Sequence, residues 1–216
     1  MPRFVDHDVR KRDIVRATLE VLAESGTGGL SFRAVAARLG GSTTLVTHYF
    51  PNQEALLAEV ASASLVQWGE EIDALDSRGR TPEERLQNLL VWLMPVTPLG
   101  LTEERARINL LSSQLLGEGH RTALEEWDVK IRSVLRSHLE ELVPQDEVER
   151  TVELLRVTIS GVGLTVVEHP GSWSVARQLA IVEHLMLLLG IPLAEQGVGV
   201  DAVDAPELSA GSPPVA

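Results

Sequence analysis

The segment Ser31 to Leu57, SFRAVAARLGGSTTLVTHYFPNQEALL, constrains this chain more than any other stretch. Ser31 can cap a short helix whose apolar residues Phe32, Val35, Ala36 and Leu39 recur at helical spacing, and Gly40-Gly41 then breaks it. Ser42 or Thr43 opens a second short helix. Its Val46 and Phe50 lie one turn apart on the side that must face the first helix, and Pro51 closes it. Thr43, Thr44, Leu45, Thr47 and His48 are left pointing wholly or partly away from the core. Two short helices around a tight glycine turn, with small hydroxyl side chains on the second, suit insertion into a DNA major groove. Bulky side chains there would hold the helix off the bases.

In order and spacing these residues resemble the TetR family of bacterial transcriptional regulators. The resemblance runs without a gap from about Lys11 to Val60: an amphipathic helix RDIVRATLEVLAESG, then SFRAVAARLGGS, then THYF, then PNQEALLAEV opening the next helix. Three positions depart from the usual pattern. Gly41 stands where a buried valine is common, Thr47 where a tyrosine is common, and Gln53 where a lysine often meets phosphate.

A net charge of -12 fits a DNA binder only if the charge is unevenly distributed, because binding needs a local positive face. Residues 1–50 hold seven Lys or Arg against five Asp or Glu, while the rest holds twelve against twenty-six. The DNA-facing end is therefore the basic end. The chain has no cysteine, which removes disulfides and thiolate metal sites. The N-terminus carries Arg3, Asp6, Asp8, Arg10, Lys11 and Arg12 without an apolar run, unlike a signal peptide, and no segment reaches the ~18 apolar residues of a membrane span. A cytoplasmic location, with no membrane partner, is the expectation.

After the DNA unit the pattern is helix upon helix. Asn52 caps a helix predicted over 53–74, and Thr81-Pro82-Glu83-Glu84 opens the next with a capping box, Leu86, Leu89, Leu90 and Leu93 carrying its apolar face. Pro95 and Pro98 are expected in a loop, followed by helices near 103–116 and 120–142. Asp146 and Glu149 give another capping-box signature before an apolar helix to about 168, and a last helix is predicted over 174–189. These last two are apolar on more than one face. Such faces mean either a fully buried monomer core or, as the resemblance implies, pairing with their copies in a homodimer. Leu154, Val157, Val162, Ile181, Leu185 and Leu188 are the expected interface residues. The expected organisation is all-α: a three-helix helix-turn-helix domain over 1–52, a helical bundle for effector binding and dimerisation over 53–193, and a disordered tail over 194–216.

The resemblance places Thr43, Thr44, Leu45 and Thr47 against base edges, and threonine methyls with Leu45 favour thymine methyls. It places His48 and Tyr49 at phosphates, although the Tyr49 ring also fits a role in the small core. Arg33 can reach a base or a phosphate. Lys11 and Arg12 either follow the DNA backbone or minor groove, or form a solvated face. The family also implies a small-molecule effector that fixes the two recognition helices at a spacing no longer matching the grooves, with the 53–74 helix transmitting the change. Trp68, Trp92, Met94, Gln114, Trp127, Thr165 and His169 are the candidate lining residues. Residues 108–142 loosely resemble the C-terminal domain of the choline-responsive BetI-type branch. The tryptophans of this acidic domain either cage a cation or simply pack.

Catalysis is not expected. His7, His48, His120, His138, His169 and His184 are scattered singly, without a HExxH, and there is no GxSxG, phosphate-cradling glycine loop or dinucleotide fingerprint. No metal and no cofactor are implied. The expected function is a ligand-responsive, dimeric repressor on a palindromic operator. The alternatives are an activator or ligand-independent DNA binder on the same fold, and a small-molecule binder with a degenerate DNA unit.

Overall fold

In the computed structural model, residues 7–111 and 118–193 are described, and helices are the only regular elements among them. The first is α1 (His7–Gly29), which buries Ile14, Val15, Ala17, Thr18, Val21 and Leu22 along one side. Gly26 interrupts it with φ 61 and ψ -170, a backbone state that costs glycine little because it has no Cβ. Next come α2 (Phe32–Arg38) and α3 (Thr43–Tyr49). The Ser31 side chain accepts the Ala34 N–H, as the capping pattern predicts. The turn between α2 and α3 is a Schellman motif: the Gly41 N–H bonds to Ala36 O at 2.9 Å, the Gly40 N–H to Ala37 O at 3.1 Å, and Gly40 has φ 64. Val46 and Phe50 are buried, as predicted.

The chain then runs through α4 (Gln53–Arg78), α5 (Pro82–Trp92), α6 (Pro98–Leu111), α7 (Glu118–Leu139), α8 (Val148–Glu168) and α9 (Val175–Leu188). Asn52 caps α4 by accepting the Ala55 N–H at 2.8 Å. At α5 the Thr81 hydroxyl accepts the Glu84 N–H, while the Glu84 carboxylate reaches back to the Arg80 N–H at 2.7 Å. Thr81→Ala is expected to cost about 1 kcal/mol, read as a lowered urea midpoint at unchanged slope.

Three expectations change. Pro98 lies inside α6 rather than in a loop, because a first-turn proline loses no helical hydrogen bond, and the Thr97 hydroxyl accepts the Gly100 N–H there. Asp146 does not cap α8. The turn Pro144 O to Glu147 N (2.8 Å) makes Glu147 the N-cap in an already helical conformation, without a side-chain cap, and Glu149 pairs with Arg136 of α7 instead. Helix α4 continues past residue 74 to Arg78. The expected lining residue Gln114 and the expected disordered tail 194–216 lie outside the described residues.

Two apolar cores result. The N-terminal core joins α1, α2 and α3 but also takes Leu56 and Leu57 from the start of α4 and Ala106 from α6. The larger core combines Ile72, Leu86, Leu89, Leu90, Ile131, Leu135, Leu155, Ile159 and Met186 from α4, α5, α7, α8 and α9. Helix α6 thus faces both cores, and its contact with α1 is the most extensive between any two elements. Asn109 of α6 donates from Nδ2 to Leu22 O at 2.8 Å, fastening α6 to the last regular turn of α1. In the larger core, the buried His138 of α7 places Nε2 3.1 Å from Asp76 of α4.

Candidate functional site

Helix α3 is anchored by the buried Val46 and by Phe50 at its C-cap, with Tyr49 packed beside them, so its outer surface is open. Thr43, Thr44, Thr47 and His48 are exposed, and the Thr47 hydroxyl donates to Thr44 O at 3.3 Å. Leu45 is different. It is half-buried, and a Cβ added to Gly41 would lie 3.1 Å from its Cδ2, so Leu45 folds over the space that a valine at position 41 would occupy. Gly41 and Leu45 therefore compensate one another, and Leu45 presents less of itself outward than expected. Tyr49 is also half-buried: it packs against the small core and sits edge-on to His48 (ring centroids 5.3 Å apart) and 5.4 Å from His7. His7 is a neighbour that the sequence reading missed, because nothing in its local spacing links it to residue 49.

Most cations of this end are already paired. Lys11 bonds Glu59 of α4 at 2.7 Å, Arg10 and Arg16 both meet Asp13, and Arg38 meets Glu20 and Glu24. Arg12 and Arg33 are exposed, and no ion pair to either occurs among the described residues. Among the described residues of this end they are therefore free to meet an anion at lowest cost, whereas Lys11 would first have to leave Glu59. Gln53 donates from Nε2 to Leu30 O at 2.6 Å, clamping the start of α4 to the α1–α2 connection.

The second site is a cavity of about 140 Å³ lined by residues of α4, α5, α6, α7, α8 and the α5–α6 connection. Four of the expected lining residues, Trp68, Trp92, Met94 and Trp127, are brought together there. Trp68 and Trp127 lie 4.3 Å apart between centroids, and Trp92 meets Trp127 edge-on at 6.1 Å. Thr165 and His169 are not among the lining residues. Both sit near the C-terminal end of α8, where Thr165 donates to Gly161 O and His169 is the exposed C-cap.

The sequence reading missed the acids. Glu71 accepts the Trp92 Nε1–H at 2.9 Å, and Glu103 accepts a hydrogen bond from Trp68. Burial pushes the Glu103 carboxyl up to about 7, the negative charge of Glu71 adds to the rise, and the Trp68 bond opposes it. The cations nearby are committed elsewhere. Arg107 pairs with Glu104, and Arg156 bonds Asp128 and Ser160. Burial also pushes the Asp128 carboxyl up, but hydrogen bonds and charge from Arg132 and Arg156 outweigh it and hold it below its usual range. Two carboxylates against three indole rings, without a cation of their own, form a site electrostatically suited to a positive ligand.

A third surface lies on α8 and α9. Leu154, Val157 and Leu164 are exposed at helical spacing with Gly161 between them, and Leu187 and Leu188 are exposed on α9. Val157 is 67% and Leu188 70% exposed, whereas Val162 at 6% and Leu185 at 8% turn into the protomer's own core, and Ile181 is half-buried. Val162 and Leu185 are thus corrected from interface to core. Helical phase is the reason: each sits on the stripe of its helix that packs into the larger core, not the stripe that faces outward.

Residues 14–60 match the family described as bacterial regulatory proteins, tetR family. The HTH-type transcriptional regulator PksA of Bacillus subtilis is 32% identical over 95 residues, which cover 44% of this chain and 46% of PksA, less than half its length. The HTH-type transcriptional regulator BetI of Rhizobium meliloti is 27% identical over 161 residues, 74% of this chain and 79% of that protein. Among solved structures, a transcriptional regulator from Saccharomonospora viridis in complex with choline superimposes with a TM-score of 0.70 at 18% identity, covering 84% of this chain and 97% of that one.

Proposed function

We propose that this chain, whose residues 14–60 match the TetR family of transcriptional regulators, represses transcription by binding a twofold-symmetric operator as a homodimer, and releases it when a ligand with a cationic group binds at the tryptophan cavity. The observation that carries the reading is the double role of α6. Glu103, Glu104 and Arg107 line the cavity on one face of this helix, while Ala106, Asn109 and Leu110 on the adjoining face join α1 and the N-terminal core. Helix α6 therefore couples the cavity wall to α1 and, through the N-terminal core, to α3. Helix α4 gives a second link, since Gln67, Trp68 and Glu71 line the cavity about 21–27 Å along the helix from Gln53 and its clamp on Leu30.

In the proposed complex α3 lies in the major groove, with Thr43, Thr44 and Thr47 toward base edges and Arg12, Arg33 and His48 toward phosphates. The partner is a second copy through the exposed α8 and α9 stripe, placing two copies of α3 about 34 Å apart, one turn of DNA. Release requires the ligand to prefer the non-binding arrangement, by about 10⁴-fold for nearly complete turnover. A cation is favoured by Glu71 and Glu103, which have no ion pair among the described residues and lie against indole faces, and the choline complex of the Saccharomonospora viridis regulator supports a ligand of that charge.

The test is selection of bound fragments from a random-sequence DNA pool by the full chain at fixed salt. Enrichment of a palindrome, with affinity falling steeply as salt rises, is the expected result. A pool that shows no enriched sequence after repeated rounds would overturn the DNA-binding reading.

A further inference from the structure

A second cavity, of about 60 Å³, shares four lining residues with the first: Trp68, Glu103, Arg107 and Trp127. Its remaining wall is almost wholly apolar, with Leu19 of α1, Val60, Ala61 and Leu65 of α4, Leu110 of α6 and Leu124 of α7. Leu19 and Leu110 also pack against the N-terminal core, so this space lies at the seam between the DNA-binding unit and the effector domain. Its volume leaves room for about four water-sized groups, and an apolar lining favours carbon over water.

We propose that the effector is a two-part molecule: a fully substituted ammonium head caged by Trp68, Trp92, Trp127, Glu71 and Glu103, and an apolar arm of about three or four carbons that passes the Trp68–Trp127 wall into the second cavity, where it drives release of DNA. The proposal rests on the ligand-released reading above and adds a division of labour. The head supplies charge recognition, since cation–π attraction and two carboxylates act on it together. The arm supplies the mechanical effect. Only the second cavity has α1 in its wall, and a group that widens it separates Leu19 from α4 and α7. A ligand confined to the cage touches α6 but not α1.

The test uses the full chain, its selected operator fragment and three probes. Tetramethylammonium fills the cage alone, n-butyltrimethylammonium adds the arm, and 3,3-dimethylbutan-1-ol keeps the branched head without charge. Tryptophan fluorescence reads binding, because three indoles form the cage, and retardation of the operator fragment reads release. Each buried methylene should tighten binding about 4-fold, so the butyl compound should bind on the order of 50-fold more tightly than tetramethylammonium. Release should follow at saturation with the butyl compound and not with tetramethylammonium. Glu103→Gln should weaken both cations by about 10-fold or more, as loss of a buried counter-charge does. Ala61→Leu, which fills the second cavity, should bring the ratio of the two affinities close to one.

Equal affinity for the two cations, or release by both, would overturn the role of the arm. Binding of the alcohol as tightly as n-butyltrimethylammonium, which also carries an arm, would overturn the charged head. Fluorescence titration needs no DNA, so failure of these ligand predictions is distinguishable from a failure of operator binding.

Discussion

A Val157→Asp, Leu188→Asp double variant is expected to elute as a monomer and to lose at least ~10²-fold in operator affinity, with its helical circular dichroism unchanged. Both side chains are more than half exposed in the protomer, so each carboxylate remains solvated in the isolated chain and costs the fold little. In a dimer packed through α8 and α9 the same carboxylates would be buried without partners, at several kcal/mol each. Two half-sites contacted by one rigid dimer would give an affinity that one copy of α3 cannot reach, so losing the dimer should remove the second half-site's contribution without touching the residues proposed to read DNA. Size-exclusion chromatography with light scattering, alongside operator retardation, checks both parts. A variant that remains dimeric and binds as the wild type does would move the interface to another face.

Glu103→Gln is expected to raise the thermal midpoint at pH 8 by about 4–10 °C, which corresponds to roughly 2–3 kcal/mol. The Glu103 carboxyl rises from a reference of 4.5 to about 7 in the folded chain. Between those values the folded state keeps a proton that the unfolded chain releases. Stability from this group is therefore highest at low pH, falls as pH rises through that window, and levels off once Glu103 is ionised. Glutamine removes the dependence, so its advantage should shrink to roughly under half by pH 5.5. Calorimetry at the two pH values decides the matter, and a gain independent of pH, or a loss, would refute the assigned burial. A bound cation should recover the same stability in the wild type above pH 7. The destabilising carboxylate is thus a cost to the empty protein that ligand binding offsets.

The helix-turn-helix was legible because its signals are local. Ser31 as N-cap, Gly40 at the positive-φ turn position and the Val46, Phe50 pair all act within a few residues, and each is found where spacing predicts it. The tryptophans were legible as a set, since large aromatic residues on successive amphipathic helices tend to converge. Glu71 and Glu103 were not: each reads as an ordinary solvated acid on its helix, and nothing in the sequence says that α4 and α6 bring them together. Thr165 and His169 failed for the converse reason, being polar groups in an apolar segment that turn out to lie at a helix end.

By itself, then, the amino-acid sequence determined the all-helical class, the helix-turn-helix unit with its exposed threonines, and the resemblance to the TetR family over residues 14–60. Caps, glycine turns and the helical repeat depend on neighbours a few positions apart. Only the tertiary structure decided which stripe of α8 and α9 stays outside, that Leu45 covers Gly41, that Lys11 is held by Glu59, and that α6 joins the cavity to α1. Those outcomes depend on the rotation and approach of whole helices, set by packing summed over two cores, and no short spacing in the chain records them.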